Sequence, residues 1–433
     1  MPSHYPVFID GVRTPFQKAG TGFQSTNSHY LGASAIKSLL KKTGVSKEDI
    51  NYVIMSTTVH HLQTSNIARE CTLLAGLPPS VVAYTVSAGG SSAAIAISQA
   101  QHLIRNGIAD CVIAGGTDCI SDAPIGYKKE MRHKLFKARK LKTMGERLRF
   151  LLSLKLWDFL PEIPSITELS TGLTMGEYTE RLAKKLSIPR HEQDRYTYES
   201  HQKATSALEQ IRIKKEILPI TLPSKTSITE DNGIRKKITL SDLERLSPVF
   251  DKKSGTLTAG NSSFLTDGAA VVLMTSEKKA KELGLLPKAK IIDEVFTAHD
   301  PHQDLLIGPV FSTQKILVRN SLNTNHIGVF EYHEAFAAQI LAVLQCMDST
   351  HFAKERLGLS RKIGTIPRDK LNSWGGSLAI GNPFSPNYAR LMTTAVNRLE
   401  VEKQEFGLVG TCSGGGFGYT MLIKPLTPSS TLA

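Results

Sequence analysis

Residues 86–93, VSAGGSSA, decide the fold of this chain. They connect a β-branched run at residues 81–86 to an Ala- and Ile-rich stretch at residues 91–105, and a second β-branched run follows at residues 111–114. The two runs predict buried strands, and the stretch between them is long enough for a buried helix. Strand, helix and strand joined by Gly-rich turns predict an α/β sheet that helices cover on both faces.

The same order of elements recurs in the C-terminal part. A strand-like run at residues 327–331 precedes a helical stretch at residues 334–345, and two more strand-like runs lie at residues 407–409 and 419–423. The middle of the chain is charged, helical and interrupted by prolines, and a length of 433 residues favours two or three packed units. We therefore expect an N-terminal half at residues 1–125, completed by about 247–278, an inserted helical region at residues 126–246 and a C-terminal half at residues 279–433.

Most of the net charge lies in one segment. The chain has 52 Lys and Arg against 39 Asp and Glu, a net charge of +13. Residues 128–155 hold eleven basic and two acidic residues, a net charge of +9, and the remainder is nearly balanced. Because the charge is confined in this way, the sequence argues against a nucleic-acid-binding protein and favours an anionic partner for one surface.

The basic residues lead into a Leu-rich stretch that ends in Trp157 and Phe159, and we call residues 128–160 the basic insert. This combination is typical of an amphipathic element that lies on a membrane surface. Contact with the phosphates of an anionic ligand, contact with a partner subunit and a solvated helical face are the alternatives that the sequence leaves open.

The five cysteines form no CxxC pair and no metal-ligand spacing. This pattern favours reduced thiols in an intracellular protein without a metal site. No run approaches eighteen consecutive apolar residues, so a membrane-spanning helix is not expected. A strand-like run begins at residue 6, which leaves no room for a presequence. We therefore expect a cytoplasmic protein, with a mitochondrial location as the alternative.

Five further motifs supply turns or reactive side chains, and they are NSSFLTDG at residues 261–268, HEAF at 333–336, WGGS at 374–377, GNP at 381–383 and CSGGG at 412–416. Together with VSAGGSSA, they resemble the thiolase family, and nearly all of residues 7–423 can be laid on it. His333 and the end of the basic insert are similar to the branch that contains the β-subunit of the fatty-acid-oxidation trifunctional complex and its bacterial equivalent.

The resemblance implies a five-layered αβαβα fold built from two similar halves, a tight dimer and an acyl-CoA site between the halves. In thiolases, CoA cleaves a 3-ketoacyl-CoA into acetyl-CoA and a shortened acyl-CoA. Coenzyme A or an acyl-CoA is therefore the expected substrate or ligand, with no tightly bound cofactor. A hydratase and dehydrogenase α-subunit, or an active thiolase paralogue, is the expected protein partner.

The resemblance also assigns roles to residues. The family needs a Cys thiolate at a helix N-terminus, where the helix dipole and a neighbouring His lower its pKa. A second Cys, matched here by Cys412, moves the proton on the acetyl carbon. One oxyanion hole uses the His of a Gly-His-Pro turn and a water held by the residue at His333. The other uses the backbone N–H groups of the nucleophile and of Gly414. Ser263 matches the Ser that contacts the pantetheine arm.

Two matched positions depart from the family. The nucleophilic Cys is replaced by Gly90, and the His of the Gly-His-Pro turn is replaced by Asn382. Loss of a covalent nucleophile costs on the order of 10⁶ in rate, and an amide cannot accept a proton near pH 7. We therefore expect an acyl-CoA-binding protein that has lost thiolysis and serves as a structural or regulatory subunit.

Two alternatives keep an enzymatic activity. Cys412 and His333 could remove a proton next to a thioester without a covalent intermediate. An active acyltransferase could instead use Ser91 or Ser92 as its nucleophile. Because no matched base accompanies these hydroxyl groups, we expect them to cap the helix that follows.

Overall fold

The computed structural model describes residues 4–162, 167–222 and 224–426, and the predicted strands are present in it. In chain order, its strands are β1 (Pro6–Arg13), β2 (Gln17–Lys18), β3 (Tyr52–Ser56), β4 (Val82–Val86), β5 (Cys111–Asp118), β6 (Gly126–Tyr127), β7 (Pro161–Glu162), β8 (Ile220–Thr221), β9 (Ser227–Ile228), β10 (Thr266–Ser276), β11 (Ala289–Ala298), β12 (Val329–Tyr332), β13 (Gly407–Ser413) and β14 (Phe417–Pro425).

The helices begin and end where local chemistry favours it. For the first of them, the Asn27 side chain accepts a hydrogen bond from the Tyr30 N–H, and Gly44 ends it in the left-handed conformation. In chain order, the helices are α1 (Ser28–Thr43), α2 (Ile67–Leu74), α3 (Ser92–Arg105), α4 (Lys129–Ala138), α5 (Met144–Ser153), α6 (Met175–Lys185), α7 (Arg190–Glu209), α8 (Leu240–Glu244), α9 (Glu277–Glu282), α10 (Pro301–Asp304), α11 (Gly308–Arg319), α12 (Ala337–Met347), α13 (Thr350–Leu357), α14 (Ser377–Ile380) and α15 (Asn387–Val401). None of the described helices is both long and apolar enough to cross a bilayer.

The main sheet consists of two halves with the same topology. Its strand order is β12-β13-β14-β11-β1-β10-β5-β3-β4, and β2 pairs with β10. In the N-terminal half, β3 and β5 are parallel while β10 is antiparallel to β5 and to β1. In the C-terminal half, β12 and β13 are parallel while β14 is antiparallel to β13 and to β11. The order β3-β5-β10-β1 thus recurs as β12-β13-β14-β11, which confirms the expected repeat.

Large apolar cores lie between the five layers, and the core around the central helices faces both sheet halves. One core lies under α1 and α2 and includes Leu31. A second lies under α11 and α12 and includes Ile340. The third lies between the two sheet halves, where Ile97 of α3 and Leu391 of α15 are fully buried. Helices and sheet halves therefore alternate in the αβαβα order that the sequence predicted.

The described part of the region between β5 and β10 contains the helices α4 to α8, joined by loops and by the short strands β6 to β9. The basic insert forms α4 and α5 and turns apolar side chains outward, with Leu152 78% and Trp157 73% exposed. The Lys134 ammonium lies 2.5 Å from the Asp158 carboxylate, which joins α4 to the segment that follows α5.

One strand differs from its predicted burial. Residues 81–86 were expected to form a buried strand, but β4 lies at the edge of the main sheet beside β3. Val82 is 47% exposed, and the other residues of β4 are only half-buried. A short β-branched run has the same pattern in the centre of a sheet and at its edge, so the sequence did not separate the two positions.

Candidate functional site

Backbone hydrogen bonds bring the C-terminal motifs together. Because β12 and β13 are parallel, their C-terminal ends meet at one edge of the sheet. There the His333 N–H donates to the Gly410 carbonyl at 2.9 Å, and Cys412 follows two residues later on β13. The Ser263 N–H donates to the Ala335 carbonyl at 3.0 Å. Three of the expected site positions are therefore neighbours.

The start of α3 approaches this edge from the N-terminal half. Gly90 lies two residues before α3, and a Cβ atom built on Gly90 would lie 3.2 Å from the Cys412 carbonyl oxygen. A side chain at position 90 would therefore require the neighbouring atoms of β13 to move by a few tenths of an ångström. Position 90 packs against β13, as the family resemblance implies, but it carries no functional group.

The two hydroxyl groups at the start of α3 are engaged in local hydrogen bonds. Ser91 occupies the capping position, yet its hydroxyl makes no capping bond and lies 3.0 Å from the Ser413 hydroxyl. The Ser92 hydroxyl accepts from the Ala88 N–H at 2.7 Å and donates to the Gly89 carbonyl. The expected capping role of both side chains is therefore wrong, because the Ser91 hydroxyl lies beside Ser413 of β13 and the Ser92 hydroxyl bonds to the turn before the helix.

Cys412 is buried on β13, with 2% of its surface exposed. Burial raises the pKa of its thiol to about 12. The thiol is therefore protonated at neutral pH, and it is a weak donor rather than a base.

His333 is a neutral imidazole inside the protein. Burial, together with the positive charge of Arg390, lowers the pKa of the ring to about 3. Its Nδ1 lies 2.8 Å from the side-chain nitrogen of Asn387 and 2.9 Å from the Ser377 hydroxyl. Among the described residues, no hydrogen bond goes to Nε2, and 6% of the surface of His333 remains exposed.

Asn387 and Arg390, which the sequence reasoning missed, form the wall behind His333. Arg390 donates to the Asn387 side-chain oxygen at 2.7 Å and to the Ser377 hydroxyl at 3.0 Å. The only sequence signal was indirect, because residues 384–388, FSPNY, replace the small residues that thiolases carry after the Gly-His-Pro turn.

Hydrogen bonds of its backbone and of its side chain hold Asn382 in place. Its N–H donates to the Phe264 carbonyl at 3.0 Å, and its side-chain oxygen accepts from the Phe384 N–H at 3.0 Å. Gly381 has φ +109°, and a Cβ there would lie 2.4 Å from Thr266 Cγ2, so this turn requires glycine. The side-chain NH₂ of Asn382 remains a donor, in agreement with the expected loss of a base.

Glu168 is a third residue that the sequence reasoning missed. Its carboxylate accepts from the Gly415 N–H at 2.6 Å and would lie 3.1 Å from a Cβ on Gly414. A negative charge therefore stands beside the Gly-rich turn that follows β13. No pattern in the sequence links Glu168 to a turn more than two hundred residues away.

Comparison with known families decides what this arrangement is. The model of the N-terminal domain of thiolases matches residues 7–278, and the model of the C-terminal domain of thiolases matches residues 285–425. The chain belongs to the thiolase family.

Individual thiolases resemble the chain along most of its length. The mitochondrial trifunctional enzyme subunit beta of Bos taurus is 41% identical over 418 residues, which cover 96% of this chain and 88% of that protein. A probable 3-ketoacyl-CoA thiolase of Caenorhabditis elegans is 40% identical, with 96% and 93% covered. The crystal structure of the Bacillus anthracis acetyl-CoA acetyltransferase superposes with a TM-score of 0.82 at 28% identity, over 98% of this chain and 99% of that one.

This thiolase has buried, unpaired thiols. All five of its cysteines belong to the described residues, and each is buried and free of any disulfide. Within the same residues, no three His, Cys, Asp or Glu side chains are grouped so that they could hold a metal ion.

Proposed function

We propose that this thiolase binds acyl-CoA, belongs functionally with the fatty-acid-oxidation thiolases and has lost thiolysis. One observation carries the proposal: Gly90 stands where the start of α3 meets β13, at the position that the family gives to its nucleophile. The names of the bovine and nematode relatives support the fatty-acid-oxidation type.

The remaining groups favour binding over turnover. The ring of His333, the amide of Asn382 and the backbone N–H groups at position 90 and Gly414 are donors suited to the carbonyl oxygen of a thioester or ketone. Cys412 is protonated at neutral pH because burial raises its pKa to about 12. Proton removal next to a thioester is therefore a weaker proposal than binding. The bonded hydroxyls of Ser91 and Ser92 give no support to a seryl nucleophile.

Two cations, Lys18 beside the Phe264 ring and Arg235 close enough to affect Lys18, support an anionic ligand such as CoA. The Lys18 ammonium lies 5.3 Å from the centre of the Phe264 ring. Burial, together with the positive charge of Arg235, lowers the pKa of Lys18. Two like charges held near each other are stabilised by a phosphate group placed between or beside them.

Replacement of Ser263 by Trp is expected to weaken acyl-CoA binding at least tenfold. Ser263 is half-buried beside Ala335, so an indole at this position would fill the space that we assign to the pantetheine arm. Isothermal titration of the pure protein with a medium-chain acyl-CoA measures the dissociation constant. Ser227→Trp, on the exposed face of β9, is the matched control and should bind like wild type. Equal affinity of the Ser263 and Ser227 variants would contradict the assignment.

The partners of the protein are proposed from the same features. A second copy of the chain is the proposed neighbour of β4, because this edge strand and α2 expose Val82, Leu73 and Leu74. A hydratase and dehydrogenase α-subunit, or an active thiolase paralogue, is the proposed further partner. The bovine relative's designation as the beta subunit of a trifunctional enzyme supports that choice.

The basic insert is proposed to rest on an anionic membrane surface. It combines a net charge of +9 over residues 128–155 with exposed Leu152 and Trp157. Trp157→Glu is expected to lower co-sedimentation with phosphatidylserine vesicles several-fold, whereas Leu286→Glu, at an equally exposed Leu outside the insert, should not. Binding that is the same for vesicles with and without anionic lipid would contradict the proposal.

For the cellular location, the cytoplasm is our proposal and the mitochondrion the competing one. The bovine relative is named as a mitochondrial protein. Fractionation of cells that express the natural gene distinguishes the two compartments.

A further inference from the structure

The side chain of Asn387 stands between a buried arginine and the imidazole of His333. Its oxygen accepts from Arg390 Nη2 at 2.7 Å, and its nitrogen lies 2.8 Å from His333 Nδ1. Arg390 is fully buried, and Asn387 is 2% exposed. Water therefore has little access to these groups, so the protein itself determines the direction of each hydrogen bond.

That direction follows from the arginine. A guanidinium can only donate, so the Asn387 group that faces Arg390 must be its oxygen. The NH₂ group of Asn387 then faces His333 and can only donate. His333 Nδ1 must therefore accept, and in a neutral imidazole the proton lies on Nε2.

The hydroxyl of Ser377 is compatible with the same direction. It accepts from Arg390 Nη2 at 3.0 Å, which leaves its own proton free to point at His333 Nδ1, 2.9 Å away. Ser377 is fully buried. Arg390 therefore fixes the direction of the Asn387 amide, and the Ser377 hydroxyl can add a second donor to Nδ1.

We propose that Asn387 is a positioning residue that holds His333 as the Nε2–H tautomer, so that the ring offers a hydrogen-bond donor and no proton acceptor to the carbonyl oxygen of a bound acyl thioester. The ligand side of this inference rests on the proposed acyl-CoA-binding function. The tautomer itself depends only on the contacts among Asn387, Ser377 and Arg390, and it can be tested without any ligand.

The test is the ¹⁵N spectrum of the imidazole rings in the full-length, ligand-free protein labelled with ¹⁵N-histidine. The signals of His333 are assigned as those missing from a His333→Gln variant. We expect a protonated Nε2 and an unprotonated Nδ1 in wild type at pH 7. In Asn387→Asp, the carboxylate accepts instead of donating, and we expect the proton to move to Nδ1 or the ring to become an imidazolium. A wild-type ring protonated at Nδ1, or an unchanged tautomer in Asn387→Asp, overturns the proposal.

The wild-type spectrum needs no variant, so the proposal stays falsifiable if Asn387→Asp fails to fold. The affinity for acyl-CoA distinguishes the tautomer of His333 from its proposed role in binding. If the proton of Asn387→Asp moves to Nδ1 and the ring stays neutral, we expect binding of a medium-chain acyl-CoA to weaken at least tenfold, because that tautomer has no Nε2–H. An imidazolium keeps its Nε2–H, and in that case we expect no such loss of affinity. A switched tautomer with unchanged affinity overturns the positioning role. Wild type with the expected tautomer but no affinity for acyl-CoA overturns the proposed function and leaves the tautomer in place.

Discussion

A variant that carries both Gly90→Cys and Asn382→His is expected to cleave a medium-chain 3-ketoacyl-CoA with CoA, whereas wild type is not. The new thiol would stand at the N-terminus of α3, a helix of 14 residues whose dipole favours the thiolate. The new imidazole would supply the base that an amide cannot provide. Since loss of a nucleophile costs on the order of 10⁶ in rate, recovery of even a small part should exceed wild type by at least about 10³-fold.

The rate at which the pure protein forms acetyl-CoA tests this prediction. Gly90→Ala together with Asn382→His is the matched control, because it adds the same Cβ beside the Cys412 carbonyl but no sulfur, and it should remain as slow as wild type. If wild type already turns over at the rate of the Cys and His variant, the nucleophile lies elsewhere in the chain. If that variant folds, binds acyl-CoA and stays inactive, residues at more than these two positions prevent thiolysis.

The fold could be predicted because its signals are local. The run at residues 86–93 became the turn from β4 into α3, and the strand-like runs at residues 407–409 and 419–423 became parts of β13 and β14. Each of these elements is fixed by the order of apolar residues and glycines within a short window, so neighbouring residues suffice to identify it.

Features that depend on tertiary contacts could not be predicted from the sequence. Val82 belongs to an edge strand, and the Ser91 hydroxyl is hydrogen-bonded to Ser413 instead of to the first turn of its own helix. In both cases the local pattern is the same as in the expected arrangement. What differs is the residue that folding brings alongside from a distant part of the chain.

The candidate site also contains residues that a local motif predicts and residues whose role depends on distant contacts. Gly90, Asn382, His333 and Cys412 were found because each lies in a recognisable motif. Glu168, in contrast, reaches the Gly-rich turn from a distant loop. Asn387 and Arg390 were missed for a similar reason, because their role depends on side-chain contacts behind His333 that no spacing reveals.

A buried ion pair holds the strand that carries His333. Arg398 of α15 is fully buried and donates to the Glu331 carboxylate at 2.7 Å, two residues before His333. The same guanidinium donates to the Phe330 carbonyl at 3.1 Å and to the Lys370 carbonyl at 3.0 Å. Arg398 therefore joins the middle helical layer to β12 through two acceptors, Glu331 and Phe330, and it also donates to the Glu402 carboxylate at the end of its own helix at 3.0 Å.

Arg398→Met is expected to lower the free energy of unfolding by about 3–5 kcal/mol, because it leaves the buried Glu331 carboxylate without its hydrogen-bonded partner and with only the Arg390 guanidinium, 3.9 Å away, as a counter-charge. The loss should be read from urea unfolding followed by both fluorescence and circular dichroism, since a chain of this size can unfold in more than one step. Arg398→Met combined with Glu331→Met removes both charges and should recover part of the loss, because two apolar side chains need no partner while Arg390 loses the carboxylate 3.9 Å away. A single Arg398→Met variant as stable as wild type would show that Glu331 is neutral in the folded protein.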